Sequence, residues 1–242
     1  MTKSDPRVKS LHTNEISAAA IAGVEGGVFY HDPVMLKECL QGMRLEAGSD
    51  LNESGEIVEN GTFVDCTLGG GGHSYAIATR LSADGTLHAF DRDEEAVAFA
   101  TKRMARVAPK FIVHPVPFSE LGNEIAPNTL DGVLYDLGIS SHQVDDSSRG
   151  FTFVGDNPLD LRMDRREGVS AQEWLRTVTD EDLASALRKN ADMDRAFKLA
   201  TRIKEMVAKI AAEGRDVLPS DMKSVVESVF PDKRREANGL LA

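Results

Sequence analysis

Covalent and metal staples are nearly absent from this sequence. It has two cysteines, Cys39 and Cys66, in 242 residues. That pair offers no disulfide framework and no zinc-ligand spacing, and it suits a reducing cytoplasm. The six histidines are scattered, without an H-x-x-H or H-E-x-x-H pair, so no metal site is expected. No apolar run approaches the ~20 residues that span a bilayer, so no membrane association is expected. The stretch from Ile16 to Val24 is a weak match to a signal peptide because Glu15 abuts it, and a poorly ordered arm over residues 1–29 is expected instead. Basic residues are outnumbered, 28 against 39 acidic ones, for a net charge of −11. Such a balance argues against tight non-specific nucleic-acid binding, which needs Lys and Arg on phosphates.

What is present is a glycine loop in a telling place. Residues 65–73 read Asp-Cys-Thr-Leu-Gly-Gly-Gly-Gly-His, after the apolar run Thr62-Phe63-Val64 and before a segment with helical spacing. Strand, glycine loop, helix is the arrangement that opens a nucleotide-type site at the carboxyl edge of a parallel sheet. The next apolar run, Leu87–Phe90, ends in Asp91, 19 residues after Gly72. An acid there suits ribose hydroxyls, since a carboxylate accepts from two vicinal O–H groups. The pattern G-x-G-x-x-G is not completed, because Ser74 and Tyr75 stand where its last glycine falls. A ligand without a pyrophosphate, such as S-adenosylmethionine, fits better than a dinucleotide.

Hydrophobic residues make up 41% of the chain, enough for a core. Residues 44–60 read as an acidic surface loop. Phe111–Val113 and Asp131–Tyr135 read as third and fourth strands, the last ending in Asp136. Between strands, Asp93-Glu94-Glu95 open a helix that Lys102-Arg103 close, complementing its dipole. Alternation of this kind predicts a parallel α/β sheet. After Leu159 the pattern turns helical: a capping box at Ser170–Glu173, amphipathic helices from Thr179 and Phe197, and one capped by Ser220. The sequence therefore divides into an arm (1–29), a cofactor-binding Rossmann-like domain (30–169), a helical subdomain (170–235) and a tail (236–242).

Several longer segments are similar to the MraW (RsmH) family, the 16S ribosomal RNA cytosine-N4 methyltransferases. They are His31–Glu38, Asp65–Ser74, Phe90–Asp93, Pro117–Ser119, Asp136–Gln143, Arg149–Phe153, Pro158–Asp164 and Ala171–Leu175, in the family's order over residues 31 to about 235. The resemblance implies an α/β Rossmann-like methyltransferase with an inserted all-helical subdomain. It implies S-adenosylmethionine as cofactor and small-subunit ribosomal RNA, or the assembled small ribosomal subunit, as partner, in the cytoplasm. Position by position, Gly71, Gly72 and His73 match the loop that contacts the cofactor, Asp91 the ribose acid, Phe118 an aromatic residue at the adenosine, and Asp136 and Gln143 contacts after the fourth strand. Family members carry further segments, Phe-Gln-Ala-x-Arg-Ile and Ser-Phe-His-Ser-Leu-Glu-Asp, which this chain does not contain. The expectation is an incomplete sheet of roughly four strands whose open edge could pair in a homodimer.

Asp136, at a strand end, is the first candidate for a group at the transferred methyl. Asn157, before Pro158, is the second, because a polar residue before proline resembles turns that hold a reacting amine. Each has a plainer role available. Asp91 could simply be a helix N-cap, and Asp136 could cap the next turn. Asp160, Arg162 and Asp164 could form a local ion-pair network, and Phe151 and Phe153 could pack within their loop. Trp174 is expected to anchor the helical block on the sheet domain. Basic residues from Arg195 to Lys209 read as a solvated helix face first and an RNA contact second. The alternative to an enzyme is a catalytically inactive relative that binds cofactor or serves as an interaction module.

Overall fold

The computed structural model describes residues 33–46, 59–107, 109–153 and 155–231. The expected arm, most of the 44–60 loop, Lys233–Arg235 and the tail lie outside them. Tertiary packing divides the chain into two compact units, 1–137 and 138–242.

The first unit is a four-stranded sheet with helices on its faces. Its strands are β1 (Thr62–Asp65), β2 (Thr86–Phe90), β3 (Lys110–His114) and β4 (Gly132–Leu134). All pairings are parallel and the order is β3-β2-β1-β4. These are the four apolar runs read from the sequence, each short and bounded by polar or glycine residues, as buried parallel strands are. Phe63 and Leu87 pack with Leu40 of α1 (Leu36–Gly42), Ile77 of α2 (Gly72–Ala78) and Met104 of α3 (Glu94–Met104). Val64 and Phe90 face the other way, onto Ile125 and Leu121, the latter in the single-turn helix α4 (Leu121–Glu124). Both faces of the sheet are thus covered, which lets its strands be apolar on both sides. Among the described residues β4 has a neighbour on one side only. Its exposed side chains, Val133 and the following Tyr135 and Leu137, alternate along one face.

The second unit is helical: α5 (Ser141–Asp145), α6 (Ala171–Thr177), α7 (Asp180–Ala191), α8 (Ala196–Ala212) and α9 (Pro219–Val229). Helix α8 is its axis. Leu199, Ile203, Val207 and Ile210 recur at helical spacing and are at most 3% exposed. Ser170 and Glu173 form the expected capping box, and Thr179 caps α7. Helix α9 begins earlier than expected: Leu218 is its N-cap, not Ser220. Pro219 explains this, since its fixed φ and missing N–H suit the first helical position.

The boundary between units also differs from the sequence division at 169/170. Residues 138–169 belong with the helices because Leu159 is buried in the helical core. Its N–H donates to Val217 O at 2.8 Å, and its carbonyl accepts from Gln172 N–H at 2.9 Å. Trp174 is 39% exposed, while Leu175 beside it takes the core position. Among the described residues no helix is long and apolar enough to cross a membrane.

Candidate functional site

Strand order 3-2-1-4 puts a topological switch point between β1 and β4, because β1 leads to β2 on one side while β3 crosses to β4 on the other. Open α/β sheets bind ligands at that crevice, outside the carboxyl ends of the strands. Three acids stand along this edge: Asp65 closes β1, Asp91 follows β2 and Asp136 lies two residues past β4.

The glycine loop is braced to all three. Asp65 is fully buried and accepts the Ser74 hydroxyl at 2.6 Å and the Thr67 N–H at 3.1 Å. Burial pushes its carboxyl above the usual carboxylate range, although those two donors hold it back. Asp91 accepts the N–H of Gly69 at 2.8 Å through one oxygen and that of Asp93 at 2.9 Å through the other. Burial raises it as well. The Asp136 N–H donates to Thr67 Oγ1 at 2.8 Å, tying β4 to the loop. Arg103 donates to Gly70 O at 3.0 Å from α3.

Two glycines are required by geometry. Gly71 is the N-cap of α2 with φ +74°, and a Cβ there would meet Ala100 Cβ at 3.2 Å. At Gly72 a Cβ would stand 2.6 Å from Pro33 Cγ. Both therefore let the loop lie flat against its neighbours. The first intrahelical bond is Tyr75 N–H to Gly71 O, so the N–H groups of Gly72, His73 and Ser74 precede the i→i−4 ladder.

His73 is buried. Its Nε2–H donates to Val34 O at 3.1 Å, since a carbonyl can only accept, and its Nδ1 faces Asp136 Oδ2 at 3.6 Å. Phe118 is 40% exposed and sits edge-on to Tyr135, with ring centroids 5.4 Å apart. A hydrogen bond to Cys66 raises the Tyr135 phenol. Gly71, Gly72, His73, Asp91, Phe118 and Asp136 thus lie along one edge of one unit.

The plainer roles can now be assigned. Asp93, not Asp91, caps α3, by accepting the Glu95 N–H. Ser140, not Asp136, caps the next helix, α5. Neither acid is consumed by capping. Asp91 already accepts two N–H groups, and a carboxylate has about four lone-pair positions, so a vicinal diol matches what is left. Acids at the edge also suit a ligand carrying a sulfonium and an ammonium better than one carrying phosphates.

Gln143 and Asn157 fall in the helical unit. Gln143 is buried and its Oε1 accepts the Ser140 N–H at 3.0 Å, completing a capping box. Asn157 Nδ2 donates to Ser147 Oγ at 2.9 Å. Asp160, Arg162 and Asp164 fall in two ion pairs: Arg162 forks onto Asp160 at 2.7 and 3.0 Å, and Arg166 onto Asp164 at 2.8 and 2.7 Å. Phe153 packs under Lys223 Nζ at 5.7 Å. Part of the basic run is also spent on structure. Lys204 Nζ donates to the carbonyls of Leu175 and Val178 at the end of α6, Arg195 donates to Val229 O, and Arg202 pairs with Glu205.

The sequence reading left Asp65, Thr67, Ser74 and Tyr135 without a role. The signal for Asp65 was available, since it ends an apolar run as Asp91 and Asp136 do.

The profile of the MraW methylase family matches residues 28–241. Ribosomal RNA small subunit methyltransferase H of Dichelobacter nodosus is 36% identical over 207 residues, covering 84% of this chain and 61% of that protein. The protein of the same name in Herminiimonas arsenicoxydans is 42% identical over 179 residues, 72% of this chain and 52% of its own length. That of Xylella fastidiosa strain M12 is 37% identical over 173 residues, with shares of 72% and 51%. The chain spans about half to three-fifths of the length of these relatives.

Proposed function

Since the chain belongs to the MraW methylase family, we propose that it binds S-adenosylmethionine at the β1–β4 edge and methylates the exocyclic N4 amine of a cytosine in small-subunit ribosomal RNA. The observation that carries this reading is the convergence of Asp91, Phe118, His73 and Asp136 on the edge of the glycine loop. The family and its relatives, each named as a ribosomal RNA small subunit methyltransferase, support it.

When bound, the cofactor supplies a methyl group on a cationic sulfur. The chain's part is to place and activate the amine. That nitrogen is a poor nucleophile because its lone pair is delocalised into the ring. A carboxylate accepting one of its N–H hydrogens draws the lone pair out of conjugation and takes up the proton released when the N–C bond forms and the C–S bond breaks. Asp136, half-exposed at the switch point and held by its own N–H to Thr67, is the residue for this. Asp91 accepts the ribose hydroxyls, the Gly72 and His73 N–H groups line the loop, and Phe118 packs on the adenine face. Positioning of this kind contributes up to roughly 7–11 kcal/mol in ideal cases.

Calorimetric titration of the folded chain with S-adenosylmethionine, with Asp91→Ala as control, tests the reading. Binding that the substitution abolishes supports it. A folded wild type that does not bind would falsify it. Transfer of labelled methyl to free small-subunit RNA, and separately to assembled subunits, identifies the substrate. Sedimentation of the purified chain tests a homodimer formed along the open β4 edge, and fractionation tests the cytoplasmic location.

A further inference from the structure

A chain of three titratable side chains lies behind the site and outside the residues used above. His88 Nδ1 stands 2.9 Å from His114 Nε2, and His114 Nδ1 stands 3.0 Å from Glu124 Oε2. His88 is on β2, His114 ends β3 and Glu124 ends α4. The His114 ring is 8% exposed as a residue and stacks on Phe90 at 4.3 Å with an interplanar angle of 9°.

Chemistry fixes the direction of the chain. Glu124 as a carboxylate can only accept, so His114 carries its proton on Nδ1. With both rings neutral, Nε2 is then the acceptor, and His88 donates to it from its own Nδ1. Both rings are therefore in the Nδ1–H tautomer. His114 is buried, so removing Glu124 takes away the acceptor of its Nδ1–H.

The position of His114 gives the chain a consequence. Its carbonyl accepts the Asp91 N–H at 3.2 Å, which holds the turn of the ribose acid. Its bond to Glu124 closes the loop of residues 115–123, and that loop presents Phe118 to Tyr135. We infer that His114 is a positioning residue for the cofactor site, fixing Asp91 through its carbonyl and Phe118 through the ring's bond to Glu124. The inference rests on the reading that Asp91 and Phe118 contact S-adenosylmethionine.

The test uses the full chain and three variants. Asparagine places an N–H close to that of imidazole Nδ1, while glutamine places one close to that of Nε2. His114→Asn keeps the donor to Glu124, and His114→Gln loses it. Glu124→Ala removes the acceptor. Loss of one charge-assisted bond is worth about tenfold in S-adenosylmethionine affinity. Glu124→Ala and His114→Gln are expected to show that loss well below their Tm, with His114→Asn close to wild type. Imidazole nitrogen chemical shifts of the wild type give a second reading, independent of whether any variant folds: His114 and His88 must both be Nδ1–H tautomers. Folded variants that bind like wild type, His114→Asn no better than His114→Gln, or an Nε2–H tautomer at His114 would each overturn the inference. A wild type that fails to bind removes the functional reading and this inference together, whereas a wild type that binds alongside unaffected variants removes this inference alone.

Discussion

Asp65 and Asp91 of the sheet unit and Asp160 and Asp164 of the helical unit are held in opposite ways. In the sheet unit Asp65 and Asp91 are partnered by hydroxyl and backbone N–H donors, and burial pushes both carboxyls up. In the helical unit Asp160 and Asp164 are gripped by the forks of Arg162 and Arg166, and the Arg162 bond holds Asp160 below its usual value. A carboxylate whose charge is already cancelled is structural furniture. One that is held only by neutral donors has no charge beside it to cancel its own and keeps lone pairs for something else. The difference teaches where to look for a ligand better than residue type does, since both units are rich in acids.

The strongest challenge to this division is a core deletion in the helical unit. Ile203→Ala should cost about 2–5 kcal/mol, read from the denaturation midpoint. It should leave S-adenosylmethionine affinity of the remaining folded protein within about twofold. A collapse of affinity would mean the units do not divide the work. Next comes Gly72→Ala, whose Cβ would meet Pro33 Cγ at 2.6 Å. Overpacking there should cost about 1–3 kcal/mol. It should also weaken cofactor binding, whereas Gly122→Ala, with nothing within 4 Å, should do neither.

The pH dependence sharpens the comparison because its signs are opposed. Asp91 has a folded value raised by burial, so its ionised form costs stability at neutral pH, and that cost vanishes as pH falls through the folded value. Protonation also removes acceptor capacity, so cofactor affinity should fall on the acid side while this group adds no instability. Asp160 is lowered, so its stabilisation is present above the unfolded value and is lost only as pH falls through the lower folded one. Titrations and melts carried downward from neutral pH should therefore show affinity declining before the forks fail. Least of all, Asp160→Asn keeps the oxygen that accepts the Arg162 N–H and Nε–H but loses the charge and the second acceptor of the fork, which should lower Tm by about 2–4 degrees and leave binding unchanged.

Much of the sheet unit was legible because each strand is a short apolar run ended by a glycine, a turn or an acid. Asp91 and Asp136 could be picked out as acids at such ends, and the glycine loop announced the turn between β1 and α2. The Ser170–Glu173 box was equally local. Less visible was anything set by distant partners. Ser140 and Gln143 have the same capping-box spacing, yet Gln143 read as a ligand contact alone, since sequence does not say which acceptor an amide will choose. Leu159 looked like the end of the sheet domain, because only Val217, 58 positions on, reveals which core it enters. His114 and Glu124 meet through a fold of the chain between them, and neither histidine pair nor acid spacing marks it beforehand. Of the adjacent Trp174 and Leu175, only one can lie on the core face at a helix start, and Leu175 has it.

The braces of the glycine loop have an implication for inheritance. Asp65 to Ser74, Asp91 to Gly69 and Thr67 to Asp136 engage the same short stretch at three separate points. Such a segment behaves as a ruler. Adding or deleting a single residue shifts every mark beyond it, and no one side-chain change restores the others. The number of residues between Asp65 and Ser74 is thus a stricter constraint than the identity of most of them. Lineages of this site should drift by substitution while the loop's length stays fixed.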